Sequence, residues 1–159
     1  MNVIFVDIDG VLVTWQSIQE SNNVSVVEMF ALPRKMLFRN KFDTKCVEQL
    51  NRLTDVLDAK LVISSLWRVG RELSELQELF KEFGVKAEVI GATPYLATFR
   101  GHEIRAWLDN NKDKEIEWYC ILDDSTDMCE LLPCLYQSSM RLGLTEHIVD
   151  IIINAHSSV

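Results

Sequence analysis

Short apolar runs alternate along the chain with amphipathic stretches, and that rhythm predicts repeated strand–helix units. Val3-Ile4-Phe5-Val6, β-branched and aromatic, reads as a buried strand that runs straight into Asp7-Ile8-Asp9-Gly10. Asp43 or Thr44 can cap a helix in which Val47, Leu50, Leu53 and Leu57 recur at near-helical spacing. A second strand, Leu61-Val62-Ile63, ends in Ser64-Ser65. The helix after it carries Leu73, Leu76, Leu79, Phe80 and Phe83 on one face, and Gly84 stops it. A third strand is predicted near residues 87–90, then a Gly91/Pro94 loop and a helix with Ile104, Trp107 and Leu108 that ends at Asn110-Asn111. Residues 118–122 form the fourth strand, which ends in Asp123-Asp124. A short segment to Leu132, a weak strand at 135–137 and a final helix from near Thr145 follow. Units of this kind imply an α/β fold: a parallel sheet covered by helices on both faces, with polar groups gathered where the strands end. Asp7, Asp9, Ser64 and Asp124 would all meet there.

One stretch breaks the rhythm. Residues 14–40 are irregular, with Ser21-Asn22-Asn23 and Pro33 as breakers and a hydrophobic-basic run at 33–39, so a flap or loop insertion is expected over about 13–42. Trp15 lies in that flap, within reach of a substrate, whereas Trp67, Trp107 and Trp118 sit among apolar neighbours as packing residues. No internal repeat is present, and residues 71–99 leave little room for a large cap domain.

Composition narrows the class. With 159 residues, 48% of them hydrophobic, the chain supports one domain spanning 1–159 rather than two. No apolar run approaches the roughly 20 residues of a membrane span. The N-terminus reaches Asp7 without a basic leader, so no signal peptide or membrane partner is expected, and the cytoplasm is the expected location. Cys46, Cys120, Cys129 and Cys134 contain no C-x-x-C and read as reduced core cysteines. His102, His147 and His156 show no ligand spacing. A net charge of -8 disfavours loose attraction to nucleic acid, although Arg34, Lys35, Arg39 and Lys41 form a local basic cluster.

Carboxylates gathered at neighbouring strand ends repel one another unless a cation sits between them. Oxygen-only donors fit Mg²⁺. An aspartate beside that ion can attack a phosphoryl group in line if a second group protonates the leaving oxygen; Asp7 suits the first role and Asp9 the second. Gly10 lets the backbone turn Asp9 toward the leaving group. Ser64 and a cation, with Arg100 and Arg68 as the candidates, would meet the charge on the transferring oxygens.

Asp7-Ile8-Asp9-Gly10-Val11, Ser64 after Leu61-Val62-Ile63, Arg100 before a helix, and Leu122-Asp123-Asp124 resemble, in order, the four motifs of the haloacid dehalogenase (HAD) superfamily. The resemblance covers nearly the whole chain. It implies a three-layer Rossmann-like fold with sheet order 5-4-1-2-3. It also implies Asp7 as nucleophile and metal ligand, Asp9 as general acid/base and a further metal ligand, and Ser64 and Arg100 as phosphate binders. Asp124 would be a magnesium ligand, with Asp123 or Asp127 assisting. The family commonly places lysine where Arg100 stands. More narrowly, Ser64-Ser65-Leu66-Trp67-Arg68, Arg100 through Leu108, and Gly143-Leu144-Thr145 are similar to HAD domains of composite RNA-repair proteins. An open cleft of that kind implies a bulky substrate: an RNA or DNA end bearing a 3′-phosphate, with small phosphate esters, nucleotides, phosphoproteins or simple phosphate binding as alternatives.

Overall fold

The computed structural model describes residues 1–31 and 40–159. Its middle strand is β1 (Asn2–Val6), and around it the sheet is parallel throughout: β2 (Ala59–Ile63) and β3 (Val89–Ala92) on one side, β4 (Trp118–Asp123) and β5 (Leu135–Gln137) on the other. The order 3-2-1-4-5 is the expected 5-4-1-2-3 read from the opposite edge.

Alternation along each strand divides the core. Ile4, Val6, Leu61, Ile63 and Leu122 face α3 (Thr44–Leu57), α4 (Leu73–Glu82) and α6 (Glu146–His156). Val3, Phe5, Val62 and Ile121 face α5 (Arg100–Asn110) and the 3₁₀ segment Cys129–Cys134, with Phe5 edge-on to Trp107 at 5.5 Å. Strands covered on both faces need no polar side, which is why they read as unbroken apolar runs. From β1 the chain steps outward through α3 and α4 to β3, then returns through α5 to place β4 against β1. That reversal puts the crevice at the carboxyl ends of β1 and β4, where open α/β sheets bind their ligands.

Three expectations change. The third strand lies two residues later than 87–90 because Gly91 is part of it: a Cβ there would stand 2.9 Å from Trp107 Nε1, so the glycine lets α5 lie close on the sheet. The described part of the 14–40 region, expected as an irregular flap or loop insertion, holds two short helices. These are α1 (Trp15–Asn22) and α2 (Val26–Met29), each begun by a reciprocal capping box, Thr14 with Ser17 and Ser25 with Glu28. Of the four cysteines, all free, only Cys46 and Cys120 are core; Cys129 is exposed and Cys134 half-buried. Burial pushes the Cys46 thiol up to about 12, which keeps it inert.

Trp15 is half-buried and packs against Phe30 at 5.8 Å. Of the basic cluster, Lys41 pairs with Glu20 at 2.5 Å, while Arg34, Lys35 and Arg39 lie outside the described residues. Among the described residues no helix is long and apolar enough to cross a membrane.

Candidate functional site

Val6 is in register with Ile63 on one side and Leu122 on the other, so the next residue of each strand forms a row: Ser64, Asp7, Asp123. The ladder continues through them, with Ser64 N–H donating to Val6 O at 3.0 Å and Asp7 N–H to Leu122 O at 2.9 Å. Because Val6, Ile63 and Leu122 point into the α3/α4/α6 core, the three polar side chains point to the α5 face. Asp7 is 5% exposed, and Ser64 and Asp123 are sealed. Among the described residues Ser64 Oγ has no hydrogen-bond partner.

After Asp7 the chain closes a tight turn in which the N–H groups of Val11, Leu12 and Val13 converge on Ile8 O. Gly10 carries φ +78°, and a Cβ on it would lie 2.6 Å from the Asp124 carboxylate, so both its conformation and its missing side chain are used. The turn aims Asp9 at Trp67, whose indole Nε1–H donates to Asp9 Oδ2 at 3.0 Å. Burial, with the charge of Asp7 adding, pushes the Asp9 carboxyl up to about 6 against the pull of that indole bond.

Arg100 opens α5 and reaches across the row: its NH1 lies 3.2 Å from Asp7 Oδ1 and 2.9 Å from Asp123 Oδ2. Burial opposes its charge, but Asp7 and Asp123 outweigh burial and hold it above its ordinary pKa. The helix is brought this close by Gly101, where a Cβ would stand 2.0 Å from Met128 O. Its first turn is capped from a distance by Asp127, which accepts from Arg100 N–H on Oδ2 and from Gly101 N–H on its carbonyl.

Asp7, Asp123 and Asp124 bring carboxylate oxygens within 4.8 Å of one another. Burial raises the carboxyls of Asp123 and Asp124, and Asp7's charge raises them further. In Asp123 this outweighs Arg100. A hard divalent cation among these oxygens would relieve both effects, and a hard oxygen-only donor set suits Mg²⁺.

A family profile described as "HAD domain in Swiss Army Knife RNA repair proteins" matches residues 3–149, which include every side chain named above. The chain belongs to the HAD superfamily. No curated protein matches the sequence. Among solved structures, a haloacid dehalogenase-like family hydrolase, SP0104 from Streptococcus pneumoniae, is similar at 13% identity over 96% of this chain and 90% of that one, with a TM-score of 0.48.

Of the expected site residues, Asp7, Ser64, Arg100, Asp123 and Asp124 are brought together here. Three residues fall elsewhere. Arg68 has no donor left for a phosphate: its five N–H groups go to Thr93 O, Ser64 O, Ser65 O, Pro94 O and Glu103 Oε2. It is a buried clamp between two strand-end loops. Asp127 caps α5 rather than joining the carboxylate trio, and Asp9, expected beside the metal, turns its carboxylate to Trp67. The sequence reading missed Trp67 as Asp9's donor and Glu103 as Arg68's counter-charge. Trp67 lies inside the Ser64–Arg68 block that resembles the RNA-repair HAD domains, and that is the signal the sequence offers for it.

Proposed function

We propose that this chain is a Mg²⁺-dependent phosphomonoester hydrolase that works through an aspartyl-phosphate on Asp7 and acts on a 3′-phosphorylated nucleic-acid end. The observation that carries the chemistry is Asp7 itself, set between a guanidinium, an unpaired buried serine hydroxyl and two further carboxylates.

Asp7 Oδ1 already accepts from Ile8 N–H at 2.8 Å and faces Arg100, which leaves Oδ2 to attack phosphorus. As that bond forms, the bond from phosphorus to the leaving oxygen breaks, and Asp9 delivers the proton the leaving oxygen needs. A carboxyl held near 6 is suited to carry that proton at neutral pH. Asp9 then takes a proton from water, whose oxygen attacks phosphorus and frees the Asp7 carboxylate. Arg100 and Ser64 meet the charge on the equatorial oxygens throughout. Asp7, Asp123 and Asp124 would hold Mg²⁺, which neutralises phosphoryl charge when bound.

For the substrate, the family's description supports a nucleic-acid end, and so does the loop entering α5. Tyr95, Leu96 and Phe99 there are 58%, 51% and 58% exposed, directly before Arg100, and aromatic faces beside a phosphate site suit base stacking. The net charge of -8 opposes long-range attraction, so binding should be short-ranged and only weakly salt-dependent.

The test is phosphate release from 3′- and 5′-phosphorylated oligonucleotides, mononucleotides and a phosphopeptide, with Mg²⁺ or with chelator. Release from the 3′-end that needs the metal and is abolished in Asp7→Asn is expected. Turnover of mononucleotides with none on oligonucleotides would defeat the substrate assignment.

A further inference from the structure

Two buried hydroxyls at adjacent strand ends have no hydrogen-bond partner among the described residues: Ser64 Oγ and Thr93 Oγ1. Thr93 is 3% exposed, and its main chain is fully engaged, with N–H donating to Ile63 O at 2.9 Å and its carbonyl accepting from Arg68 Nε at 2.7 Å. Only the side chain is unsatisfied.

Its direction follows from the strand. Ile63 is in register with Ala92, so Thr93 extends the row beyond Ser64, and the four strand ends read Thr93, Ser64, Asp7, Asp123. Ala92 packs on the α3/α4/α6 core. Pro94 holds the residue before it in extended backbone, so alternation carries one position past the strand and turns Thr93 to the α5 face with the others. Neighbouring parallel strands stand about 4.8 Å apart, which places Thr93 beside Ser64 and one strand too far from Asp7 to reach its phosphoryl group directly. A buried hydroxyl left unpaired costs free energy, and a fold that keeps two of them side by side at a phosphate-directed strand end keeps them for a ligand.

We infer that Thr93 is a positioning residue for the phosphate cradle: its hydroxyl donates to Ser64 Oγ when Ser64 turns to donate to a phosphoryl oxygen. The two-bond chain orders the serine rotor and strengthens its outer bond, as linked hydrogen bonds polarise one another. The inference rests on the phosphatase reading above.

The experiment uses inorganic phosphate as probe, its binding measured by calorimetry with Mg²⁺ present, alongside turnover of p-nitrophenyl phosphate and thermal melting. The proteins are wild type, Thr93→Val, Thr93→Ser, Ser64→Ala and the Ser64→Ala/Thr93→Val double variant. Thr93→Val, nearly isosteric, should weaken phosphate binding about tenfold, and Thr93→Ser should restore it. On the Ser64→Ala background the valine should change nothing more. The valine melting midpoint should equal or exceed wild type, because an unpaired buried hydroxyl is gone. Phosphate binding by Thr93→Val at wild-type strength, or a loss that adds in full to that of Ser64→Ala, overturns the inference while leaving the phosphatase reading intact. A wild-type protein that neither binds phosphate nor turns over the ester overturns both.

Discussion

Replacing Gly101 by alanine sets two local effects against each other. Alanine in a helix interior is favoured over glycine by about 1 kcal/mol, so propensity alone says Gly101→Ala stabilises. The new Cβ, however, would stand 2.0 Å from Met128 O, 2.3 Å from its carbonyl carbon and 2.8 Å from its Cα, all main chain and none able to swing aside. Non-bonded carbon contacts sit near 3.5 Å or more, so α5 or the 126–130 segment must retreat by roughly 1 Å. Overpacking of that kind costs about 3 kcal/mol at the upper end of the usual range. The net loss is then about 2 kcal/mol, or a fall of roughly 4–8 °C in melting midpoint for a chain of this size. The same retreat breaks the Asp127 cap and withdraws Arg100 from Asp7 and Asp123, now at 3.2 and 2.9 Å. A misplacement of about 1 Å at a phosphoryl-binding group can cost on the order of 100-fold in turnover. Circular-dichroism melting and turnover of p-nitrophenyl phosphate measure both effects. A raised midpoint with turnover within about twofold of wild type would refute the packing argument, since propensity would then have won.

Other perturbations separate other parts of the site. Glu103→Ala strands the buried Arg68 guanidinium without its carboxylate at 2.5 Å, a loss of about 3–5 kcal/mol that melting should register on the order of 10 °C lower. Trp67→Phe keeps the ring but removes the bond to Asp9; turnover of alkyl phosphates, which need Asp9 in both steps, should fall about tenfold, and that of p-nitrophenyl phosphate, whose leaving group needs no proton, should fall less. The Asp9 carboxyl is raised from 3.8 to about 6 in the fold, so its contribution to stability is full below its ordinary pKa and is lost as pH rises through 6. Roughly two units correspond to about 3 kcal/mol, and the raised Asp123 and Asp124 push the same way. Urea unfolding of chelator-treated protein should therefore show lower stability at pH 7.5 than at pH 5, with Mg²⁺ restoring more at the higher pH; a metal-free optimum at pH 8 would contradict this. Phe99→Ala should raise KM for a 3′-phosphorylated oligonucleotide several-fold and leave p-nitrophenyl phosphate untouched, as parallel kinetics would show.

Much of this was legible in the sequence because the signals are local. Apolar runs bounded by Asp7, Ser64 and Asp123 mark strands and their ends, and Thr145 announces the last helix by its own side-chain bond to Ile148 N–H. What escaped depends on distant partners. Arg68 and Arg100 look alike as arginines near strand ends. Only Glu103, which meets the first, and the Asp7–Asp123 pair, which meets the second, tell a clamp between loops from an arginine reaching across the carboxylate row. Trp67 reads as packing until the turn at Gly10 delivers Asp9 to its indole. Gly91 looked like a loop residue because glycine within a strand is explained only by the tryptophan lying on it.

Of the five strands of the sheet β1 comes earliest in the sequence and lies at the centre, and this sets the order in which the sheet can assemble. Its edges are covered by Ala59–Ile63 and by Trp118–Asp123, so one side waits for a segment some 55 residues on and the other for one more than 110 residues on. Until both arrive, a nascent chain carries an apolar ribbon with open N–H and C=O groups, the kind of edge that recruits other strands. Such long-range pairing folds slowly. The carboxylate trio comes into being only when β4 docks, so a divalent ion bound there would have nothing to gather beforehand and would secure the fold only once it is formed.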